Sequence, residues 1–253
     1  MKRIWLISIV LFLMSLPLFA DDSIHTEEIT YTVDGQKLVG LLAYDQSTMA
    51  KRPGVLVVHE WQGINDYAKK RAVDLAKEGY VAFALDMYGD GKEIPRSEAG
   101  AKSRSVGSDF TLIEKRFNAA LAILNKNKYT DSRNTAAIGY CFGGGVVLNM
   151  ARLGTEIKGV VGFHSSLNTG LTAEKGDIKT RILAIQGDKD PVAPPERQTA
   201  FRNEMNASGA DYNYIIYENV EAHNFTNPAG SSYYEKEAEM AWDSMLEFFD
   251  SIF

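Results

Sequence analysis

The feature that most constrains this chain is the alternation of short apolar runs with longer amphipathic stretches. The apolar runs predict buried strands, and the stretches between them carry apolar residues at helical spacing. The predicted strands cover residues 54–58, 80–85, 135–138, 158–163, 181–186 and 213–217, and the predicted helices 65–76, 108–125, 146–153, 196–208 and 233–253. Strands that alternate with helices form parallel sheets, so the fold class is α/β: one domain with a mostly parallel sheet flanked by helices on both faces.

Two segments depart from this alternation. Asp34-Gly35 separates the strand-like segments 28–33 and 37–44, and this dipeptide is a strong signal for a hairpin turn. The sequence therefore predicts an antiparallel hairpin at one edge of the sheet. Residues 88–107 are rich in glycine, serine and charge, and we expect a long loop there with little regular structure.

The N-terminus has the pattern of a secretory signal peptide. Lys2 and Arg3 precede an apolar run over residues 4–13, and Ala20 stands before two aspartates. We expect cleavage after Ala20, which leaves residues 21–253 as an exported domain, periplasmic or secreted and without stable membrane association. The alternative is an uncleaved membrane anchor, since residues 4–20 reach the lower length limit of a membrane span.

Charge and cysteine content narrow the function classes. The net charge of −6 gives no electrostatic footprint for nucleic acid. Cys141 is the single cysteine, so no disulfide can form within the chain. In an exported protein an unpaired cysteine is either a reactive thiol or a small buried hydrophobe.

The sequence around Cys141 favours the reactive thiol. Gly139-Tyr140-Cys141-Phe142-Gly143 has the form of a nucleophile elbow with cysteine in place of serine. It follows a predicted strand and precedes a predicted helix. Glycines are needed because such a turn is sharp and leaves no room for side chains, and the helix N-terminus favours a thiolate.

Two further groups complete a triad in sequence order. Asp190, in Gly187-Asp188-Lys189-Asp190, follows one predicted strand, and His223 follows the last one. The order nucleophile, acid, histidine is that of the α/β-hydrolases. Asp188 is the competing acid in the same turn. The four histidines show no metal-ligand spacing, so we expect neither a metal nor a cofactor.

From the strand at 54–58 onward, the chain resembles the dienelactone hydrolase family. The resemblance rests on the segments His59-Glu60-Trp61, Asp86-Met87-Tyr88, Gly139-Tyr140-Cys141-Phe142-Gly143-Gly144, Gly187-Asp188-Lys189-Asp190 and His223-Asn224-Phe225. It implies an α/β-hydrolase fold in which Cys141 is the nucleophile, His223 its base, and Asp190 the residue that orients His223.

The resemblance also implies roles for three residues beside the triad. Glu60 matches a glutamate that helps to generate the thiolate when substrate enters. The backbone N–H groups of Trp61 and Phe142 match an oxyanion hole, which stabilises the negative oxygen of the tetrahedral intermediate. The substrate is then a small ester or lactone, hydrolysed through a thioester on Cys141.

Substrate-binding positions depart from the family pattern. Members specific for dienelactone hold the substrate carboxylate with two arginines, and the matching positions are Asp90 and Asn227. We therefore expect neutral or cationic esters or lactones, with Tyr88 and Asn227 at the substrate site. Arg96 and Arg104 in the predicted loop are alternative cations.

The sequence is also compatible with a different function class. The missing arginines and the risk of oxidising an exported thiol are compatible with a noncatalytic binding or scaffold protein on the same fold. The sequence does not indicate the oligomeric state.

Overall fold

The computed structural model describes residues 23–167 and 170–253, and its elements alternate as the sequence predicts. The strands are β1 Ile24–Val33, β2 Gln36–Asp45, β3 Arg52–Val58, β4 Val81–Leu85, β5 Thr130–Tyr140, β6 Gly159–Phe163, β7 Arg181–Gly187 and β8 Tyr212–Tyr217. The helices are α1 Asp66–Lys77, α2 Arg96–Gly107, α3 Phe110–Lys126, α4 Phe142–Arg152, α5 Pro195–Ser208 and α6 Glu235–Ile252.

The strands form one eight-stranded sheet in the order β1-β2-β4-β3-β5-β6-β7-β8. The strands from β4 to β8 in this order pair in parallel, whereas β1 with β2 and β2 with β4 pair antiparallel. Asp34 and Gly35 have φ angles of 49° and 80°, the backbone that a tight two-residue hairpin requires. The predicted fold class and edge hairpin are confirmed.

Helices cover both faces of the sheet, and the alternation of side chains along β3 shows this directly. Val55 and Val57 belong to the core that includes residues of α1 and α6, such as Leu75 and Phe249. Leu56 and Val58 point into the core that contains residues of α3, α4 and α5. Strand β3 is therefore buried on both sides, which explains its continuous apolar sequence.

The prediction of a loop over residues 88–107 is wrong, because α2 occupies the second half of this segment. Only Ala99 and Val106 of this helix are buried, and its first residue is preceded by Pro95 without a side-chain cap. Glycine and serine in the helix further weaken its intrinsic propensity. An exposed helix without an apolar stripe gives little periodic signal, which is why the sequence pattern did not reveal it.

Residues 1–20, interpreted as a signal peptide, lie outside the described residues, so that interpretation stays a prediction. Within residues 23–167 and 170–253, no helix is both long enough and apolar enough to cross a membrane.

Candidate active site

Cys141 lies at a strained turn between β5 and α4. Its φ of 55° and ψ of −111° place a non-glycine residue in backbone space that L-residues rarely occupy. Its N–H donates to the Phe163 carbonyl at 3.0 Å, and its own carbonyl accepts from Gly145 N–H at 3.2 Å. These bonds hold the turn, and the strain at this one residue is typical of functional sites.

Two glycines make this turn sterically possible. A Cβ at Gly139 would lie 2.1 Å from the Gly143 carbonyl oxygen, and one at Gly143 would lie 2.3 Å from the Val58 oxygen. Both neighbours are backbone atoms that no side-chain rotation can move. Helix α4 therefore starts at Phe142, directly after the cysteine and earlier than the apolar pattern predicts.

His223 is bound to Asp190. Its Nδ1 lies 2.8 Å from Asp190 Oδ2 and 3.0 Å from Oδ1. Asp190 is almost fully buried and also accepts the N–H of Val192 at 2.8 Å. Asp188 instead accepts the N–H of Val220 at 3.1 Å, which holds the turn before the histidine. The structure thus places Asp190, not its competitor, against His223.

The other nitrogen of His223, Nε2, is buried and has no hydrogen-bond partner among the described residues. His223 and Cys141 both line the same cavity. Burial by itself would lower the pKa of His223, but the electrostatic interaction with Cys141, together with the contact with Asp190, outweighs it and raises that pKa to about 10. A protonated His223 is thereby favoured at the wall of the cavity.

Glu60 is buried at the end of β3 and is held by Asn227. The side chain of Asn227 donates from Nδ2 to Glu60 Oε2 at 2.9 Å. Burial raises the pKa of Glu60, while Asn227 and the nearby His223 act in the opposite direction. The predicted substrate residue Asn227 therefore lines the cavity and also anchors Glu60.

The two residues expected to supply the oxyanion hole, Trp61 and Phe142, line the cavity. Phe142 is the first residue of α4, a position whose N–H has no acceptor within the helix. Trp61 also lines the cavity, and its carbonyl accepts the hydroxyl of Tyr88 at 2.9 Å. Tyr88, expected at the substrate site, is buried behind this wall and contacts Trp61 instead.

These groups open onto one large cavity of about 1410 Å³. Helix α2 forms its other side with residues at helical spacing: Arg96, Gly100, Ser103, Arg104 and Gly107. This stripe of small and basic residues is the signal that could have revealed the helix from the sequence. Asp90 is exposed and does not line the cavity, whereas both alternative arginines do.

The described residues contain no group of three or more histidine, cysteine or acidic side chains that could hold a metal ion. His59 and His164 are fully buried, and neither lines the cavity. The titratable side chains that line the cavity include the thiol of Cys141, the imidazole of His223 and the carboxyl group of Glu60.

The sheet, the strained turn and the Asp190–His223 contact define the chain as an α/β-hydrolase fold. The model of the dienelactone hydrolase family matches residues 38–253, so the chain belongs to that family. It is a dienelactone hydrolase-like hydrolase of lactones or esters.

Individual relatives agree with this assignment. A Yersinia pestis protein named "Putative carboxymethylenebutenolidase" is 26% identical over 243 residues, covering 89% of this chain and 88% of the relative. A Bradyrhizobium protein named "Probable 2-oxo-3-(5-oxofuran-2-ylidene)propanoate lactonase" is 27% identical, covering 90% and 94%. The crystal structure of a dienelactone hydrolase-like promiscuous phosphotriesterase from metagenomic libraries is 31% identical, with a TM-score of 0.83, covering 91% of this chain and 99% of that one.

Proposed function

We propose that the protein hydrolyses esters or lactones through a thioester on Cys141. The observation that carries this proposal is the contact of His223 with Asp190 at the wall of a large cavity, where Cys141 also lies close enough to act electrostatically on the His223 ring. An acid, a base and a nucleophile in this relation form the triad of covalent acyl transfer.

The steps follow from these positions. The Cys141 sulfur attacks the carbonyl carbon, and the carbonyl oxygen takes up the negative charge near the N–H groups of Trp61 and Phe142. The intermediate collapses to a thioester as the C–O bond breaks, and the imidazolium of His223 protonates the departing alkoxide. Neutral His223 then takes a proton from water, whose oxygen attacks the thioester, and the acid leaves as the thiolate and imidazolium are restored.

Asp190 supports both steps without leaving its position. Its carboxylate fixes the ring of His223 through Nδ1 and favours the protonated ring. Glu60 lies close enough to His223 for its charge to act on the same ring. We assign to it the generation of the thiolate when substrate displaces it from Asn227.

The charges around the cavity support neutral or cationic substrates. Three carboxylates, Glu60, Asp66 and Glu93, line it against the two guanidinium groups of Arg96 and Arg104. Asn227 is a neutral amide already bonded to Glu60. The cavity therefore offers no surplus of positive charge that would bind an anionic dienelactone.

Export of the mature domain is part of the proposal. It is supported by the charged, apolar and small-residue pattern of residues 1–20. Expression of the full chain in a bacterium, followed by fractionation and mass measurement, should yield a periplasmic or secreted protein that begins at Asp21. A full-length protein in the membrane fraction would instead establish the anchor.

The enzymatic proposal is tested with wild type, Cys141→Ala and Cys141→Ser on a panel of neutral, cationic and anionic aryl esters and lactones. We include an aryl phosphotriester because the similar metagenomic protein is described as a promiscuous phosphotriesterase. Wild type should release product and show an acyl adduct on Cys141 in intact-mass spectra, and Cys141→Ala should do neither. Equal rates above buffer for wild type and Cys141→Ala would overturn the assignment of Cys141 as the nucleophile, whereas no release above buffer by either protein would support the noncatalytic alternative.

A further inference from the structure

His59, at the end of β3, is a fully buried histidine for which the proposed mechanism has no use. Its Nδ1 lies 2.6 Å from the carbonyl oxygen of Glu60. Its Nε2 lies 3.1 Å from the backbone nitrogen of Met87, which follows β4. The ring therefore connects the ends of two neighbouring strands below the cavity wall.

The partners fix the protonation of this ring. A backbone N–H can only donate, so Nε2 of His59 accepts from Met87 and carries no proton. Nδ1 consequently carries the proton and donates it to the Glu60 carbonyl. Burial lowers the pKa of His59 to about 4, so the ring stays neutral near neutral pH. Because it holds no charge, its contribution is geometric.

The bonded carbonyl belongs to the same peptide group as the N–H of Trp61. In a trans peptide these two groups point in opposite directions, and the described residues contain no cis bond. A donor that holds the Glu60 oxygen from below therefore directs the Trp61 N–H away from His59. The same hydrogen bond polarises the peptide and strengthens its N–H as a donor.

Neighbouring contacts hold the same segment from other sides. Tyr88 donates its hydroxyl to the Trp61 carbonyl, and its ring packs against His59 with centroids 4.8 Å apart. The Phe142 ring stacks on His59 at 5.8 Å. A Cβ at Gly143 would lie 2.7 Å from the His59 carbonyl oxygen, so the start of α4 abuts this residue directly.

We propose that His59 is a positioning residue for the oxyanion hole: its Nδ1–H, bound to the Glu60 carbonyl, sets the direction of the Trp61 N–H. This inference rests on the proposed function, because an oxyanion forms only if Cys141 attacks a carbonyl. Tyr88 contributes to the same positioning, because its hydroxyl binds the carbonyl of Trp61, the next one along the chain.

The test compares two amide variants of similar polarity. In His59→Asn, Nδ2 occupies nearly the place of Nδ1 and still donates to Glu60. In His59→Gln, the amide reaches toward Met87 and the bond to Glu60 is lost. His25→Asn, on edge strand β1, is the matched control outside the cavity.

Two reactions of the Cys141 sulfur distinguish a misplaced oxyanion hole from a damaged nucleophile. Ester hydrolysis passes through an oxyanion, whereas alkylation by iodoacetamide displaces iodide and forms none. For His59→Gln we expect kcat with an aryl ester to fall by about 30- to 100-fold with little change in KM, since losing one oxyanion donor costs about 10²- to 10³-fold. His59→Asn should keep most of the wild-type kcat, and alkylation should proceed at the wild-type rate in all variants.

Three results would overturn the inference: wild-type kcat in His59→Gln, equal losses in His59→Gln and His59→Asn, or alkylation slowed as much as hydrolysis. If neither amide variant folds by circular dichroism, Tyr88→Phe replaces them, and an unchanged kcat there would be equally contrary. Full activity of Cys141→Ala would instead defeat the proposed function itself. Cys141-dependent hydrolysis with an unchanged His59→Gln variant would defeat only the role of His59.

Discussion

The two sides of the cavity differ in how firmly the fold holds them. The strand-end wall, formed by Glu60, Trp61, Cys141 and His223, is fixed by hydrogen bonds to buried partners such as Asp190. The α2 wall carries exposed side chains, and its two arginines form no ion pair within residues 23–167 and 170–253. Atoms that must meet a carbonyl within fractions of an ångström need the first kind of support, whereas selection among substrates tolerates the second.

The largest expected effect comes from the strand-end wall, where substitutions of two aspartates in the same turn are compared. Asp190→Asn should lower kcat/KM by about 10²- to 10⁴-fold, because the imidazole of His223 loses the partner that orients it and stabilises its proton. Asp188→Asn, whose side chain contacts a backbone N–H instead, should stay within about tenfold of wild type. Steady-state kinetics on one aryl ester decides between them, and equal losses would show that the turn as a whole, not the Asp190 carboxylate, matters.

Substituting one glycine in α4 and one in α2 compares the two walls by the change in the free energy of unfolding. Gly143→Ala puts a Cβ 2.3 Å from the Val58 oxygen and should lower the free energy of unfolding by about 3 kcal/mol or more. At Gly100 on α2 the nearest atom to a new Cβ is 3.4 Å away, at the end of Arg104. Gly100→Ala should therefore raise stability by about 0.5–1 kcal/mol. Urea unfolding measures both, and similar losses in the two variants would remove the distinction between the walls.

The free energy of unfolding should also depend on pH through His223. The pKa of His223 is raised from 6.5 to about 10 in the folded protein, so the protonated ring stabilises the fold. This stabilisation is complete below pH 6.5 and is lost as the pH rises through about 10. The difference in free energy of unfolding between wild type and His223→Gln should shrink from pH 6.5 to pH 10. A difference that stays constant would show that the folded protein does not hold an extra proton on His223.

The smallest effects should come from the α2 wall. Arg104→Gln and Arg96→Gln should each change KM by no more than about fivefold, since exposed charges contribute about 0.2–1 kcal/mol. The change should favour cationic over anionic esters and should weaken with salt. KM for a matched pair of charged esters at low and high ionic strength measures it. A rise of a hundredfold or more in KM for the anionic ester would mean that these arginines form a dedicated anion site. That result would contradict the proposed preference for neutral or cationic substrates.

The same contrast explains what could be predicted from the sequence. The buried strands and the elbow at Cys141 carry strong local signals: continuous apolar runs, and glycines at positions that backbone contacts require. The pairing of Asp190 rather than Asp188 with a histidine 33 residues away came only from the family resemblance, because local sequence does not show which carboxylate faces the ring. Helix α2 was missed because it buries only Ala99 and Val106.

The contacts of two side chains also depended on the fold. Tyr88 was expected to touch substrate, but its hydroxyl reaches the Trp61 carbonyl from behind the cavity wall. His59 belongs to a segment that carries the family resemblance, and only the fold shows that it lies beneath the wall and binds two backbone groups. Which way a side chain points at the end of a strand depends on how neighbouring strands are stacked, and the sequence alone does not encode that in any short segment.

The sequence by itself determined the α/β class, the edge hairpin and the strand–turn–helix around Cys141, because each depends on residues close together in the chain. It also determined the order of the candidate triad, because that order is a property of the chain and needs no contact. The tertiary structure decided which groups meet: His223 with Asp190, Asn227 with Glu60, and α2 with the cavity. These contacts join residues up to 167 positions apart, and they form only when the parallel strands bring their carboxyl ends to one edge of the sheet.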